Sequence, residues 1–279
     1  MKNILKKIGW FIVSMLPILI LLGFQIGCTV VVMIGGMLTF MVQGFSPEEA
    51  LLQTQQFTMD NLLIIVIVSQ VLTALIAGVW YYFVWGKGKG CSLRNPVKPW
   101  QILLIPVLGV IIQFMTSSVL TIIEILAPSL MENYIELMEE SGLNEVTAVM
   151  LISTVLMAPL SEELVCRGLV LRLAMKVSSR FWIVNMIQAF AFGVMHGNVI
   201  QGIYAFLLGL VLGYLYFRFG NIWLCMLLHA AMNFSSILVA PVFSLFPEKG
   251  AILVLTITFF VCTALFVLVM TVIGRTRKS

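Results

Sequence analysis

Four side chains in this chain can do chemistry from positions where ionisable groups are costly. Glu162 and Glu163 are adjacent in an apolar run at 146–168, and the two histidines of the sequence, His196 and His229, fall in other apolar runs. An ionisable residue inside a membrane span costs about 2.5–3.5 kcal/mol on insertion scales, so it needs a partner or a function. Residues i and i+4 share a helix face. Arg167 is therefore placed to neutralise Glu163 within one helix. Glu162 projects about 100° away and keeps its carboxylate free. His229 and Asn233 share a face by the same spacing, as do Phe192 and His196. Glu162, His196, His229 and Asn233 can thus meet in one polar pocket between helices. A carboxylate with two imidazoles suits activation of water, by general-base catalysis or through a metal. An imidazole beside an amide suits oxyanion stabilisation. Each residue also has a plainer role: a structural ion pair for Glu163 and Arg167, an interhelical hydrogen bond for either histidine, packing glue for Asn233.

The elements that must position these groups are membrane helices. The chain is 61% hydrophobic and 10% charged, whereas a soluble domain carries about 25% charged residues. Too few polar groups exist to clothe a water-facing globule. A crossing helix needs roughly 20 apolar residues, and eight runs qualify: 9–43, 61–85, 100–127, 146–168, 181–197, 199–217, 222–243 and 251–274. The reading is an all-α, polytopic transmembrane bundle forming a single domain over 1–279, with its motif-bearing core at about 146–243. Lys and Arg cluster on the cytoplasmic side of membranes. Here 15 of the 16 basic residues fall at the termini, in alternate connections or, for Arg167, in the last turn of a run before one, with Lys249 the exception, while Glu48, Glu49, Asp60, Glu132, Glu136, Glu139, Glu140 and Glu145 occupy the others. That pattern predicts both termini in the cytoplasm. The net charge of +4 then reports topology and gives no reason to invoke nucleic acid.

Smaller features fit this frame. The basic start and apolar run resemble a signal peptide, but the run outlasts the usual 7–15 residues of a signal core, so an uncleaved first helix is expected, with Pro17 inside it. Residues 128–145 read either as an amphipathic helix on the outer surface or as a solvated acidic loop. Gly86, Gly88 and Gly90 alternate with Lys in a turn that follows no strand, which argues against a phosphate loop. The five cysteines, at 28, 91, 166, 225 and 262, lack metal-ligand spacing and read as small apolar side chains.

Three segments carry a resemblance. Glu162-Glu163-Leu164-Val165-Cys166-Arg167, Phe192-Gly193-Val194-Met195-His196 and His229-Ala230-Ala231-Met232-Asn233 resemble, in order, the EExxxR, FxxxH and HxxxN motifs of the CAAX protease and bacteriocin-processing family, which includes the type II CAAX prenyl endopeptidases. The resemblance covers roughly 150–240. It implies a membrane endopeptidase in which Glu162 activates water with help from His196, His229 and Asn233 stabilise the oxyanion, and Glu163 and Arg167 shape the site. Its substrate would be a peptide or protein at the membrane. Cys166 departs from the aromatic residue that family members often carry. The same resemblance leaves the cofactor open: a metal-free glutamate mechanism, preferred because no HExxH occurs, or one divalent ion, zinc first, held by Glu162, His196 and His229. The rival readings are a non-catalytic self-immunity factor or scaffold that keeps the pocket, and a transporter using Glu and His as a proton relay. The charge pattern makes a direct prediction. Cysteines placed at Lys87 and at Glu139 should label from opposite sides of intact cells; equal labelling of both from outside would refute the eight-span topology.

Overall fold

The computed structural model describes residues 2–86, 98–143, 145–243, 245 and 250–275. The basic connection at 87–97 with Cys91, Lys249, and the terminal Arg277 and Lys278 lie outside the described residues. All described elements are helical: α1 (Lys2–Val42), α2 (Pro47–Asp60), α3 (Leu62–Tyr81, prolonged by a π turn at Tyr82–Gly86), α4 (Pro99–Leu126), α5 (Pro128–Glu140), α6 (Ala148–Ala174), α7 (Phe181–Val194), α8 (Val199–Phe219), α9 (Ile222–Phe243) and α10 (Ala251–Arg275). Seven of them, α1, α3, α4, α6, α8, α9 and α10, are long and apolar enough to cross a bilayer.

The remaining expected span, 181–197, is shorter than its hydropathy suggests. Helix α7 has 14 residues, about 21 Å at 1.5 Å per residue, against a hydrocarbon core of about 30 Å. It stops because Gly197 takes a left-handed conformation with φ 70°, which a side chain would strain. Asn198 then starts α8, its side-chain oxygen accepting from the backbone N–H of Ile200 and Gln201, as an N-cap does. His196 therefore lies in the turn between α7 and α8 and not within a span.

Two connections fold into surface helices. Ser46 caps α2 with a reciprocal box: its hydroxyl accepts from the Glu49 N–H, and the Glu49 carboxylate returns to the Ser46 backbone, satisfying two donors that a helix start leaves free. The 128–145 segment forms the amphipathic helix α5 and not an acidic loop. Met131 is buried while Glu132, Glu136, Glu139 and Glu140 face outward.

Helix α6 is the centre of the bundle and is not a regular α-helix. It contains two π segments, Ile152–Met157 and Leu164–Val170. Pro159 accounts for part of the first. The Ala158 N–H donates five residues back, to Ser153, and Pro159 has no N–H. Neither serves the Thr154 carbonyl, which must find a donor elsewhere. The helix also runs on to Ala174, beyond the 168 read from hydropathy.

Contacts among aromatic and basic residues gather one set of helix ends. The Arg172 guanidinium lies 5.0 Å from the Tyr81 ring centre, joining the ends of α6 and α3. Trp100 at the start of α4 meets Phe219 at the end of α8 edge-on, 5.8 Å between centres. Arg218 donates to the carbonyls of Ile273 and Gly274 at 3.2 and 3.0 Å, a favourable place for a cation at the end of α10. At the opposite end, Tyr134 of α5 and Tyr204 of α8 bring their hydroxyls to 3.3 Å. Packing against α8 withdraws Tyr134 from water and raises its phenol pKa above the ordinary value.

Helix α9 owes its position to Gly109 of α4. A Cβ at Gly109 would lie 2.6 Å from the Leu228 carbonyl oxygen and 3.0 Å from the Ala231 Cβ. Both are backbone or short side chain, so neither can swing away. Gly109→Val should therefore displace α9 and cost about 1–3 kcal/mol of stability, seen as a lowered unfolding midpoint of the purified protein in detergent.

Candidate active site

The six residues singled out by type and spacing come together. Glu162, His196, His229 and Asn233 line one cavity of about 370 Å³, within the roughly 300–1,000 Å³ range of ligand pockets. Glu163 and Arg167 lie directly behind it, both completely buried. Glu162 and His196 meet despite the depth separation that straight spans would impose, because α7 ends early and its turn lies part-way along the bundle. Non-helical backbone at such a depth is tolerated where it lines a cavity.

The Glu163–Arg167 pair forms as the spacing predicts, Nη1 to Oε1 at 2.9 Å. The guanidinium does not reach lipid. It lies over the face of Phe192, 4.6 Å from the ring centre, and Nη2 donates to the Gly209 carbonyl at 3.4 Å. The same Glu163 oxygen accepts from His229 Nδ1 at 3.0 Å. A carboxylate paired with Arg can only accept, so Nδ1 carries the proton and Nε2 of the neutral ring is a lone pair. His196 is oriented in the same way: its Nδ1 donates to the Phe192 carbonyl at 2.8 Å. Both imidazoles thus have Nδ1 engaged with protein and Nε2 unclaimed.

Glu162 has a different environment. Its Oε2 is buried without a hydrogen-bond partner and lies 3.9 Å from His229 Nε2, close enough for attraction but too far for a hydrogen bond. Asn233 is more occupied than its spacing suggested. Its Nδ2 donates at 2.8 Å to the Thr154 carbonyl, the group that Pro159 and the π turn leave unserved. An amide nitrogen has two hydrogens, so one remains.

Phe192, which spacing had paired only with His196, and two residues that spacing did not flag, Gln188 and Asn185, complete the site. Phe192 is fully buried and joins three of the site's side chains: its ring meets Arg167 on the face, and His196 and His229 edge-on at 5.2 and 5.7 Å. Gln188 donates to the Gly209 carbonyl at 2.8 Å and to Asn185 Oδ1 at 2.7 Å, and Asn185 donates to the Leu210 carbonyl at 3.0 Å. These amides brace the backbone that receives Arg167. Their signal was present as two neutral polar residues in an apolar run. Cys166 packs against Met195, sulfur to sulfur 3.9 Å. The four described cysteines are free thiols.

The same donors also make up a candidate metal shell. The chemistry suits zinc, with two imidazole lone pairs and a carboxylate. The placement does not: no group of three or more His, Cys, Asp or Glu among the described residues is close enough together to hold an ion.

The buried pair yields a stability prediction. Glu163→Gln leaves the Arg167 charge without its counter-ion and should cost about 3–5 kcal/mol. Adding Arg167→Met should recover part of that loss. A double variant no more stable than the single one, in detergent unfolding, would show that the charge is not what Glu163 compensates.

These residues fall inside the stretch that comparison with known proteins identifies. Residues 144–235 match the family model described as type II CAAX prenyl endopeptidase Rce1-like. No curated protein and no solved structure matches the chain. The three motifs appear there in order, on the helices that wall one cavity of a multi-pass membrane protein. The segment 144–235 that builds the site is thus similar to the Rce1-like family of type II CAAX prenyl endopeptidases.

Proposed function

We propose that the chain is an intramembrane endopeptidase that hydrolyses a peptide bond of a membrane-associated substrate with a water activated by Glu162. The observation that carries this reading is the buried, unpartnered Glu162 Oε2 in a cavity shared with both histidines. Buried polar groups are almost always hydrogen-bonded, and one left free on a cavity wall is available to a reactant. Glu162 takes a proton from water as the oxygen attacks the scissile carbonyl carbon, and returns it to the departing amine as the C–N bond breaks. His196 Nε2, a lone pair, accepts the water's other hydrogen and orients it. The oxyanion is met by the second Asn233 amide hydrogen and by His229 Nε2. Because His229 Nδ1 already donates to Glu163, its Nε2 donates only once it has itself taken up a proton. Glu163 and Arg167 are positioning residues, acting on the reaction through His229.

The preferred mechanism is metal-free, since its steps need only these side chains. The orientation proposed with it has both termini and the basic connections cytoplasmic, from the placement of Lys and Arg.

The test uses purified protein and membrane peptides, a farnesylated CAAX peptide among them, with and without chelator. Glu162→Gln should accumulate normally and lose turnover, because an amide cannot take the water's proton. Asn233→Ala should lower the rate by about 10²–10³. Normal turnover by Glu162→Gln would remove the general base, and a scaffold or immunity factor would keep its phenotype in that variant. One equivalent of zinc in active protein, lost with activity in His196→Ala and in His229→Ala, would replace the metal-free mechanism by a metal-dependent one.

A further inference from the structure

The cavity is one-sided. The walls come from the middles of helices and their halves toward one end of the bundle: residues 21–25 of α1, 62–73 of α3, 153–162 of α6, 192–196 at the end of α7, 201–208 of α8 and 229–233 of α9, with 137–143 from the end of α5 and beyond it. No lining residue comes from 74–86, 163–174, 209–219 or 222–228. Those opposite halves are packed solid, with Arg167, Cys166, Val165, Leu212 and Leu228 all 0–1% exposed.

The two ends differ in charge. The closed end is the one gathered by Arg172, Trp100 and Arg218, and it also carries Lys176 and Arg180 in the connection after α6. The connections at the open end carry Glu48, Glu49, Asp60, Glu132, Glu136, Glu139, Glu140 and Glu145, and no described Lys or Arg. The positive-inside rule places the closed end in the cytoplasm and the open end outside it.

We infer that the substrate reaches Glu162 from the acid-bearing, non-cytoplasmic end, and that it is an extended peptide segment presented on that face. The inference rests on the hydrolytic reading and on the proposed orientation. The walls suit such an occupant. Gln70 holds a buried Oε1 with no partner on the cavity wall, and Gln25 and Gln201 add further amides beside Leu63, Val66 and Leu208. Neutral amides satisfy backbone N–H and C=O groups, and the apolar surface takes the side chains between them. A tail offered from the cytoplasm meets the closed end.

Access is read by cysteine accessibility, independently of hydrolysis. Gln70→Cys is made in the full chain with Cys28, Cys91 and Cys262 changed to Ser, and Ser179→Cys, on the exposed connection after α6, serves as the opposite-face control. A small membrane-impermeant methanethiosulfonate is added to right-side-out and to inverted vesicles. The expected result is modification of Gln70→Cys in right-side-out vesicles and its loss in inverted ones, with Ser179→Cys showing the reverse. Modification of Gln70→Cys from the cytoplasmic side, or from neither side, overturns the inference. A peptide cleaved by the purified protein should then be cut by right-side-out vesicles and spared by inverted ones. If wild type and Glu162→Gln cleave nothing alike, the hydrolytic reading falls while the labelling still decides which end is open.

Discussion

A positive charge that cannot leave the interior organises this bundle. Arg167 is fully buried among apolar helices, and desolvating an ion costs several kcal/mol unless geometry compensates. Its counter-ion Glu163, the Gly209 carbonyl and the face of Phe192 supply that geometry. The compensation propagates. Glu163, anchored by Arg167, anchors His229 on α9; Gly209, anchored by Gln188, ties α8 to α7. The ion pair contributes less through net stability than by determining which ring nitrogen of His229 bears a proton and which way the ring faces. A pair of apolar residues in the same volume would hold the helices together and leave the imidazole unoriented.

Irregular backbone does the remaining positioning. Pro159 and the π turn strip the Thr154 carbonyl of its in-helix donor, and Asn233 answers it from α9. That bond fixes the amide against α6, on the helix that also bears Glu162. The left-handed Gly197 does for His196 what the π turn does for Asn233, ending α7 where the ring can hang from the last turn by its Nδ1. In both places a departure from regular helix replaces the long-range packing that would otherwise have to set a side chain to within a fraction of an ångström.

Much of the site was legible because helical spacing is a local rule. Glu163 with Arg167, the independence of Glu162, and the shared face of His229 and Asn233 all follow from i and i+4. What spacing cannot see is a partner on another helix: the bond from His229 to Glu163, or from Asn233 to Thr154, depends on packing. His196 was misplaced in depth for a local reason. Hydropathy runs unbroken through 181–197, and the stop is written only in Gly197-Asn198, a left-handed residue followed by an N-cap. Helix α2 was passed over similarly, although Ser46-Pro47-Glu48-Glu49 is a capping signature. Asn185 and Gln188 escaped because neutral amides weigh little beside charges in an insertion argument, yet in the fold they are among the most deeply buried polar groups.

The brevity of α7 has a consequence for the lipid around it. Its outer face is apolar, with Trp182, Met186, Phe190 and Val194 exposed, so it sits against acyl chains, yet it is about 9 Å shorter than a typical hydrocarbon core. A short apolar segment makes the bilayer thin beside it or draws polar surface inward. The polar surface at hand is the turn holding His196 and Asn198. Headgroups and their hydration are thereby pulled toward the one flank of the bundle that borders the cavity, and a site that consumes water inside a membrane acquires a wet margin from the length of a single helix.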